Sequence, residues 1–434
     1  MHLDKALFKA SFTSIAICIA AGSSFAAHAI DFYAIELSSP SAGQGKIAAG
    51  DNDYTPLGIH SGGFYYFPAV EIGATYNDNV FYLPDDLAES DTIANLRGSV
   101  SMNSDWSRHE FNLLGSADLG YYQDYDNEDY KDYVLATDGR YDVMRGSFAT
   151  GRAGYMKLHQ PRSSLDNRFS KTPIEYDYSY LGAGYDHQPA RVRTLFTLNY
   201  EMLDFKNNKN IFGQKIDTQD RNRDRPEATL RFGYEYKRGR RLFIQGAYNQ
   251  VNYDQKVDNT GQERSSTGYK ISTGMNFDLT NLLVGDVFIG VVKQNYDDYS
   301  SSSNISDPLI GFHLTWTPTG LTTVDLNLDR NPQETTEPTS PGYLSTVFSV
   351  GVDHELRRNV ILLGNVGYTD NQYEQDGPGQ KDNENITYVG LGGKYLFSRR
   401  FYASAEYSYE RRRSDIAAQE YKTNEVMLAL GANW

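Results

Sequence analysis

From Phe64 to the C-terminus the chain is built of segments about ten residues long in which apolar and polar side chains alternate. In the last of them Val426, Leu428, Leu430, Ala432 and Trp434 share one face, and Glu425, Met427, Ala429, Gly431 and Asn433 share the other. Leu230, Phe232, Tyr234 and Tyr236 likewise oppose Arg231, Gly233, Glu235 and Lys237, while Phe401, Ala403, Ala405 and Tyr407 oppose Tyr402, Ser404, Glu406 and Ser408. Val324, Leu326 and Leu328 oppose Asp325, Asn327 and Asp329. A period of two is the signature of extended strands with one wet and one greasy face. No helical periodicity of useful length competes with it. Two architectures use such strands: a soluble sandwich, which turns the apolar face inward, and a membrane barrel, which turns it outward.

The connections separate the two, because they alternate short and long. Short ones are Ser104 to His109, Met144 to Gly146, Gln188 to Arg191, Arg238 to Arg240, Thr280-Asn281, Pro318 to Gly320, Arg357 to Asn359, and Ser398-Arg399. Long polar ones are Asn77 to Asp91, Gln123 to Lys131, Gln160 to Pro173, Lys206 to Arg225, Asp254 to Ser265, Asp297 to Asp307, Arg330 to Pro341, Glu374 to Glu384, and Arg411 to Glu420. A sandwich has no reason to keep that order. The spacing predicts an all-β fold, a single transmembrane antiparallel up-and-down β-barrel of about 18 strands with both termini on the short-turn, periplasmic side.

The N-terminus reads as a targeting segment. Lys5 and Lys9 form a basic region, Ala10 to Phe25 an apolar one, and Ala27-His28-Ala29 a small-x-small cleavage site. The predicted division is a signal peptide over 1–29, a flexible periplasmic leader over 30–63 and the barrel over 64–434. The one cysteine, Cys18, would leave with the signal. No apolar run in the body approaches the roughly 20 residues a spanning helix needs. A net charge of −15 argues against nucleic-acid binding.

Aromatic residues fit interfacial girdles. The chain has 34 tyrosines but three tryptophans, and Trp106, Trp316 and Trp434 all fall at the predicted periplasmic rim. Tyr121, Tyr155, Tyr200, Tyr248, Tyr296, Tyr368 and Tyr407 fall near the other strand ends. Arg238, Arg240, Arg241, Arg357, Arg358, Arg399 and Arg400 make the periplasmic mouth basic, while the first two long loops are acidic. By alternation Asp118, Glu201, Arg231 and Glu235 line the lumen, and so do Asp325, Asp353, Lys394 and Glu406. A barrel of 16–18 strands leaves an aqueous channel. No Gly-x-Ser-x-Gly elbow occurs, and Asp186-His187 and Asp353-His354 are sequence neighbours whose side chains point to opposite faces of a strand, so no catalytic dyad is expected within one. Asp124, Asp126 and Glu128 alternate in an acidic loop, but Asp129 stands where a calcium-binding loop of the EF-hand type needs Gly, so a solvated loop is expected there. No enzyme, metal site or cofactor is expected.

Gly73 to Val80 (GATYNDNV), Ser104 to His109 (SDWSRH), Asp129 to Asp132 (DYKD), Arg140 to Ser147 (RYDVMRGS), Gly342 to Thr346 (GYLST) and Val352 to Leu356 (VDHEL) follow one another in an order that resembles the second Putative β-barrel porin family of Gram-negative envelopes. The resemblance spans Leu57 to Trp434 and implies an outer-membrane porin. Members are often associated with export of extracellular polysaccharide. The expected function is a passive conduit for such a polymer, with a general diffusion porin for small solutes and a structural or adhesive surface barrel as alternatives. The expected partners are outer-membrane lipid and lipopolysaccharide, a polysaccharide chain and periplasmic export proteins, with no nucleic acid.

Overall fold

A computed structural model of the chain describes residues 54–434 apart from 165–166, 168–169, 280–281, 298–303, 338–339 and 375–382. The expected signal, its cleavage site and the leader as far as residue 53 lie outside the described residues, as does the Thr280-Asn281 turn.

Among the described residues eighteen long strands follow one another. They are β1 (Phe64–Asn77), β2 (Asp91–Ser104), β3 (Glu110–Tyr122), β4 (Tyr130–Met144), β5 (Ser147–His159) and β6 (Glu175–His187). Next come β7 (Val192–Phe205), β8 (Arg223–Lys237), β9 (Arg240–Tyr253), β10 (Ser266–Leu279), β11 (Leu283–Tyr296) and β12 (Ile305–Thr319). The last six are β13 (Thr322–Glu334), β14 (Gly342–Arg357), β15 (Val360–Tyr373), β16 (Asn383–Leu396), β17 (Phe401–Ser414) and β18 (Tyr421–Asn433). Each pairs antiparallel with the next, and β18 pairs with β1 from Ala69↔Asn433 to Asn77↔Glu425. The ring is closed, so each of the eighteen strands has a neighbour on both sides. A three-residue strand, Ile59–Ser61, folds back on β1, and a small hairpin (Asn208–Lys209 with Lys215–Ile216) decorates the β7–β8 loop.

Short turns gather at one end of the barrel and long loops at the other. The ladders at the ends of β4–β5, β8–β9, β12–β13 and β14–β15 each carry a register shift beside a tight turn. Gly146 and Gly239 take positive φ in two of these turns, at 74° and 70°, where a side chain would be strained.

Alternation decides what each face meets. Val70, Ile72, Leu181, Phe232, Ile244, Ile289, Leu391, Leu428 and Leu430 are exposed on the outer face, in a belt spread around the whole ring. A soluble monomer does not carry so continuous an apolar surface, whereas lipid covers it without cost. The inner face carries charged residues such as Arg97, Lys270 and Glu384, the last two buried, and it also explains much of the tyrosine and glycine content. Tyr130, Tyr180 and Tyr402 lie flat on the inner wall over Gly120, Gly154 and Gly431, their register partners on the next strand, and Phe288 and Phe243 lie over Gly311 and Gly274 in the same way. A ring fills the space that its partner leaves empty, which pins the pairing register. Of the tyrosines expected in the outer girdle, Tyr121, Tyr155, Tyr200, Tyr248, Tyr368 and Tyr407 face outward, each about two-fifths exposed. Tyr296 is a correction: at 4% exposed it turns inward, because β11 sends its odd-numbered residues outward.

Candidate functional site

The inner wall is a set of ion pairs and hydrogen bonds between neighbouring strands. Arg97 on β2 reaches Glu71 on β1 at 3.3 Å and Asp118 on β3 at 3.1 Å. Next to them the Tyr402 hydroxyl donates to Glu71 at 3.0 Å, and the Lys394 ammonium sits 3.6 Å above the Tyr402 ring. Asp118, Lys394 and Glu406 are therefore brought into one region across β16, β17 and β1–β3. Arg231 on β8 stacks over Phe243 at 4.2 Å and donates to Gln245 at 2.6 Å. Glu235 lies 3.8 Å from Arg241, and Glu201 is the register partner of Tyr180. Asp325 accepts from the Thr315 hydroxyl, and Asp353 is buried opposite Thr323. All eight side chains lie on the face opposite the apolar belt, but they do not converge on one point. Glu71 and Arg97, which sequence reasoning passed over, were accessible to the same parity rule, since Ile72 and Leu96 point outward.

Two histidines find acidic partners on neighbouring strands. His313 on β12 lies between Asp286 on β11 (3.5 Å) and Asp329 on β13 (3.0 Å), and His159 pairs with Asp132 at 2.9 Å. His187 meets the Ser147 hydroxyl at 2.7 Å, while its sequence neighbour Asp186 pairs with Arg193 instead.

At the turn end Trp106, Trp316 and Trp434 are exposed, and Trp106 meets Phe64 edge-on at 5.3 Å. Arg238, Arg240, Arg357, Arg358, Arg399 and Arg400 surround the same end, whereas Arg241 turns inward, donating to Gln188 at 2.9 Å.

The acidic loop after β3 is not the solvated loop that the sequence suggests. Glu128, expected in a solvated acidic loop, is 3% exposed. Arg162, in the loop between β5 and β6, grips it with two hydrogen bonds of 2.7 and 2.6 Å. A third nitrogen of Arg162 donates to the Asn167 and Ser170 carbonyls, both at 2.8 Å, so this guanidinium organises its own loop as well. The loop then reaches β17, where the buried Arg412 donates to the Ser163 carbonyl at 2.8 Å while paired with Glu384 at 2.6 Å. Strands β5 and β17 are far apart around the ring, so this contact crosses the mouth. Further bonds join loop to loop: Arg221 to Gln160 (3.3 Å), Asn259 to the Asp217 carbonyl (2.8 Å), and Arg264 to the Thr335 carbonyl (2.7 Å). The acidic residues here serve partly as anchors for a loop strap. No pattern in the sequence announces it, because its partners come from segments with no fixed spacing.

Residues 51–433 match the family model described as Putative beta-barrel porin 2. The chain belongs to that family. Porins are transport proteins, and membership implies a place in the Gram-negative outer membrane. No curated protein matches the chain. Among solved structures it is similar to a mutant of the ferric enterobactin receptor PfeA from Pseudomonas aeruginosa (TM-score 0.44, 8% identity, covering 85% of this chain and 80% of that one). It is similar also to OccK2 (OpdF) from the same organism (TM-score 0.44, 9% identity, 85% and 97% covered) and to OpdK with vanillate (TM-score 0.42, 10% identity, 85% and 99% covered). No property of those proteins is carried over at such distance.

Proposed function

We propose that the protein is an outer-membrane conduit through which an extracellular polysaccharide leaves the cell, with the turn end and both termini in the periplasm and residues 1–29 removed as a signal peptide. The observation that carries this reading is a closed ring of eighteen strands with a charged, hydrogen-bonding inner wall inside an apolar outer belt. Barrels of that size leave a water-filled lumen, which suits a hydrated polymer. Lumen-lining roles for Asp118, Glu201, Arg231, Glu235, Asp325, Asp353, Lys394 and Glu406 belong to this proposal, as does a non-catalytic role for the whole chain.

A general diffusion porin is the competing reading. The strap across the loop end argues for passage that is restricted rather than open. Two measurements decide. Ion conductance in planar bilayers separates a conduit from a closed structural barrel. Loss of surface polysaccharide on deletion, with uptake of small solutes intact, separates export from diffusion; the reverse pattern refutes export.

A further inference from the structure

The first described residues do not trail away from the barrel. Ile59–Ser61 pairs with the start of β1, from Ile59↔Tyr66 to Ser61↔Phe64. It takes the side of β1 that β18 leaves open, since β18 pairs only from Ala69 onward and β2 holds the other side. Upstream of this short strand the backbone passes to the inner face. Phe67 points inward, because Val70 and Ile72 are the exposed residues of β1, and a side chain at Gly58 would lie 2.7 Å from the Phe67 ring. Gly58 takes a positive φ of 73°, which turns the chain at that point.

Four residues earlier Tyr54 packs, partly buried, against Ile361 on β15, Leu396 on β16 and Tyr402 on β17. All three of these point inward, since Leu362, Tyr395 and Phe401 are their exposed neighbours. They also stand at the turn end, within two residues of the ends of their strands. Four residues of extended chain reach about 14 Å, roughly three strand spacings, which is the step from β1 to β16. The end of the leader therefore lies along the inner wall rather than below it.

This attachment constrains what precedes Tyr54. Eighteen strands about 4.8 Å apart and tilted by about 40° make a ring roughly 35 Å across. Even at half extension, the about 24 residues of 30–53 reach that far. They carry Asp31, Glu36, Asp51 and Asp53 against Lys46 alone, and the end where they are tethered is the basic one, with Arg238, Arg240, Arg357, Arg358, Arg399 and Arg400. Opposite charge draws such a segment to the mouth.

We propose that residues 30–53 dock in the turn-end mouth, with Tyr54 as the anchor that holds them there, so that the leader is a tethered restrictor of passage. The restriction rests on the conduit reading; the docking does not.

Lys46 is the one lysine or arginine in 30–53, so trypsin reads the docking in the full-length barrel in detergent. Exposed chain is nicked readily, whereas a protease is too bulky to follow a docked segment into the barrel. Release of the N-terminal peptide ending at Lys46, followed by mass spectrometry, should be slow in wild type. Tyr54→Ala should speed it about tenfold or more, because the burial of the anchoring ring is lost. Phe212→Ala, 81% exposed in the β7–β8 loop at the other end, should leave the rate unchanged. Tyr54 lies outside the ring of strands, and heat-modifiable gel mobility checks that the barrel of each variant is closed. Equal rates in wild type and Tyr54→Ala overturn the anchor; if both are fast, the leader lies free for a partner outside the barrel and the docking falls. Single-channel conductance in planar bilayers reads the restriction and needs no point variant: deleting 30–53 should raise it at least about twofold, toward that of an unobstructed barrel of this size. Conductance unchanged by the deletion overturns the restrictor. Slow release with no conductance in either form sinks the conduit and keeps the docked leader, while conductance with fast release does the opposite.

Discussion

Replacing Arg162 with Ala should release the strap at the loop end while leaving the barrel closed. Arg162 makes two hydrogen bonds to Glu128 and two to carbonyls of its own loop, all between 2.6 and 2.8 Å. Without it the Glu128 carboxylate, 3% exposed, stays buried and unpaired. Removing one member of a buried pair typically costs about 3–5 kcal/mol, mostly the penalty of the stranded charge. At roughly 1.4 kcal/mol per tenfold, the opening equilibrium of the β5–β6 loop should rise by about two to three and a half powers of ten. Hydrogen exchange read by mass spectrometry on peptides covering 160–174 measures that equilibrium, since the Gln160 N–H bonds to the Ile174 carbonyl only when the loop is folded in. Peptides from β13 and β14 serve as the unperturbed reference. Adding Glu128→Gln should restore part of the protection, because a neutral amide is less costly to leave buried. Exchange in 160–174 that stays within about threefold of wild type, with an intact barrel, would refute the anchoring argument.

Three further outcomes follow from the two faces of the wall and from one loop. Ile289→Arg, in the exposed belt of β11, should cost about 2–4 kcal/mol in urea-dependent folding into phospholipid vesicles, whereas Asn327→Arg, inward between Asp325 and Asp329, should cost under about 1 kcal/mol; equal costs would contradict the assignment of faces. Gly154→Val should destabilise by about 1–3 kcal/mol in that assay because the Tyr180 ring occupies its space, while Gly115→Val, with nothing near its Cβ position, should be neutral or stabilising. In the β9–β10 loop, burial pushes the Asp258 carboxyl up, but bonds from the Thr260 hydroxyl, the Gln262 N–H and the Arg264 guanidinium outweigh it and hold it below its ordinary 3.8. A carboxyl depressed by folding adds stability that is present above its unfolded value and lost as pH falls through the folded one. The gap in stability between wild type and Asp258→Asn should therefore shrink as pH drops below about 4, and a gap independent of pH would rule the contribution out.

Much of the fold was legible because its signals are local. Which face of a strand meets lipid is set by parity, and parity is visible within a single segment: Leu428 and Leu430 outward, Glu425 and Met427 inward. Boundaries moved where loops have strand-like ends, as at Arg223 and Ile305, which begin strands inside stretches that read as polar connections. Tyr296 was misplaced because its position near a strand end suggested a girdle, while its even number put it on the inner face.

By itself the sequence determined the closed barrel, because alternation of period two, turns of alternating length and a polar interior are the terms on which a strand can cross lipid with its backbone satisfied. Only the tertiary structure decided what happens inside and above it. Arg162 with Glu128 and Arg412 with Ser163 join segments whose separation in the chain follows no rule. Those pairings arise from the curvature that brings inner faces toward one another. Charge is cheap to place on a wet face and costly to leave unpaired once the face is enclosed.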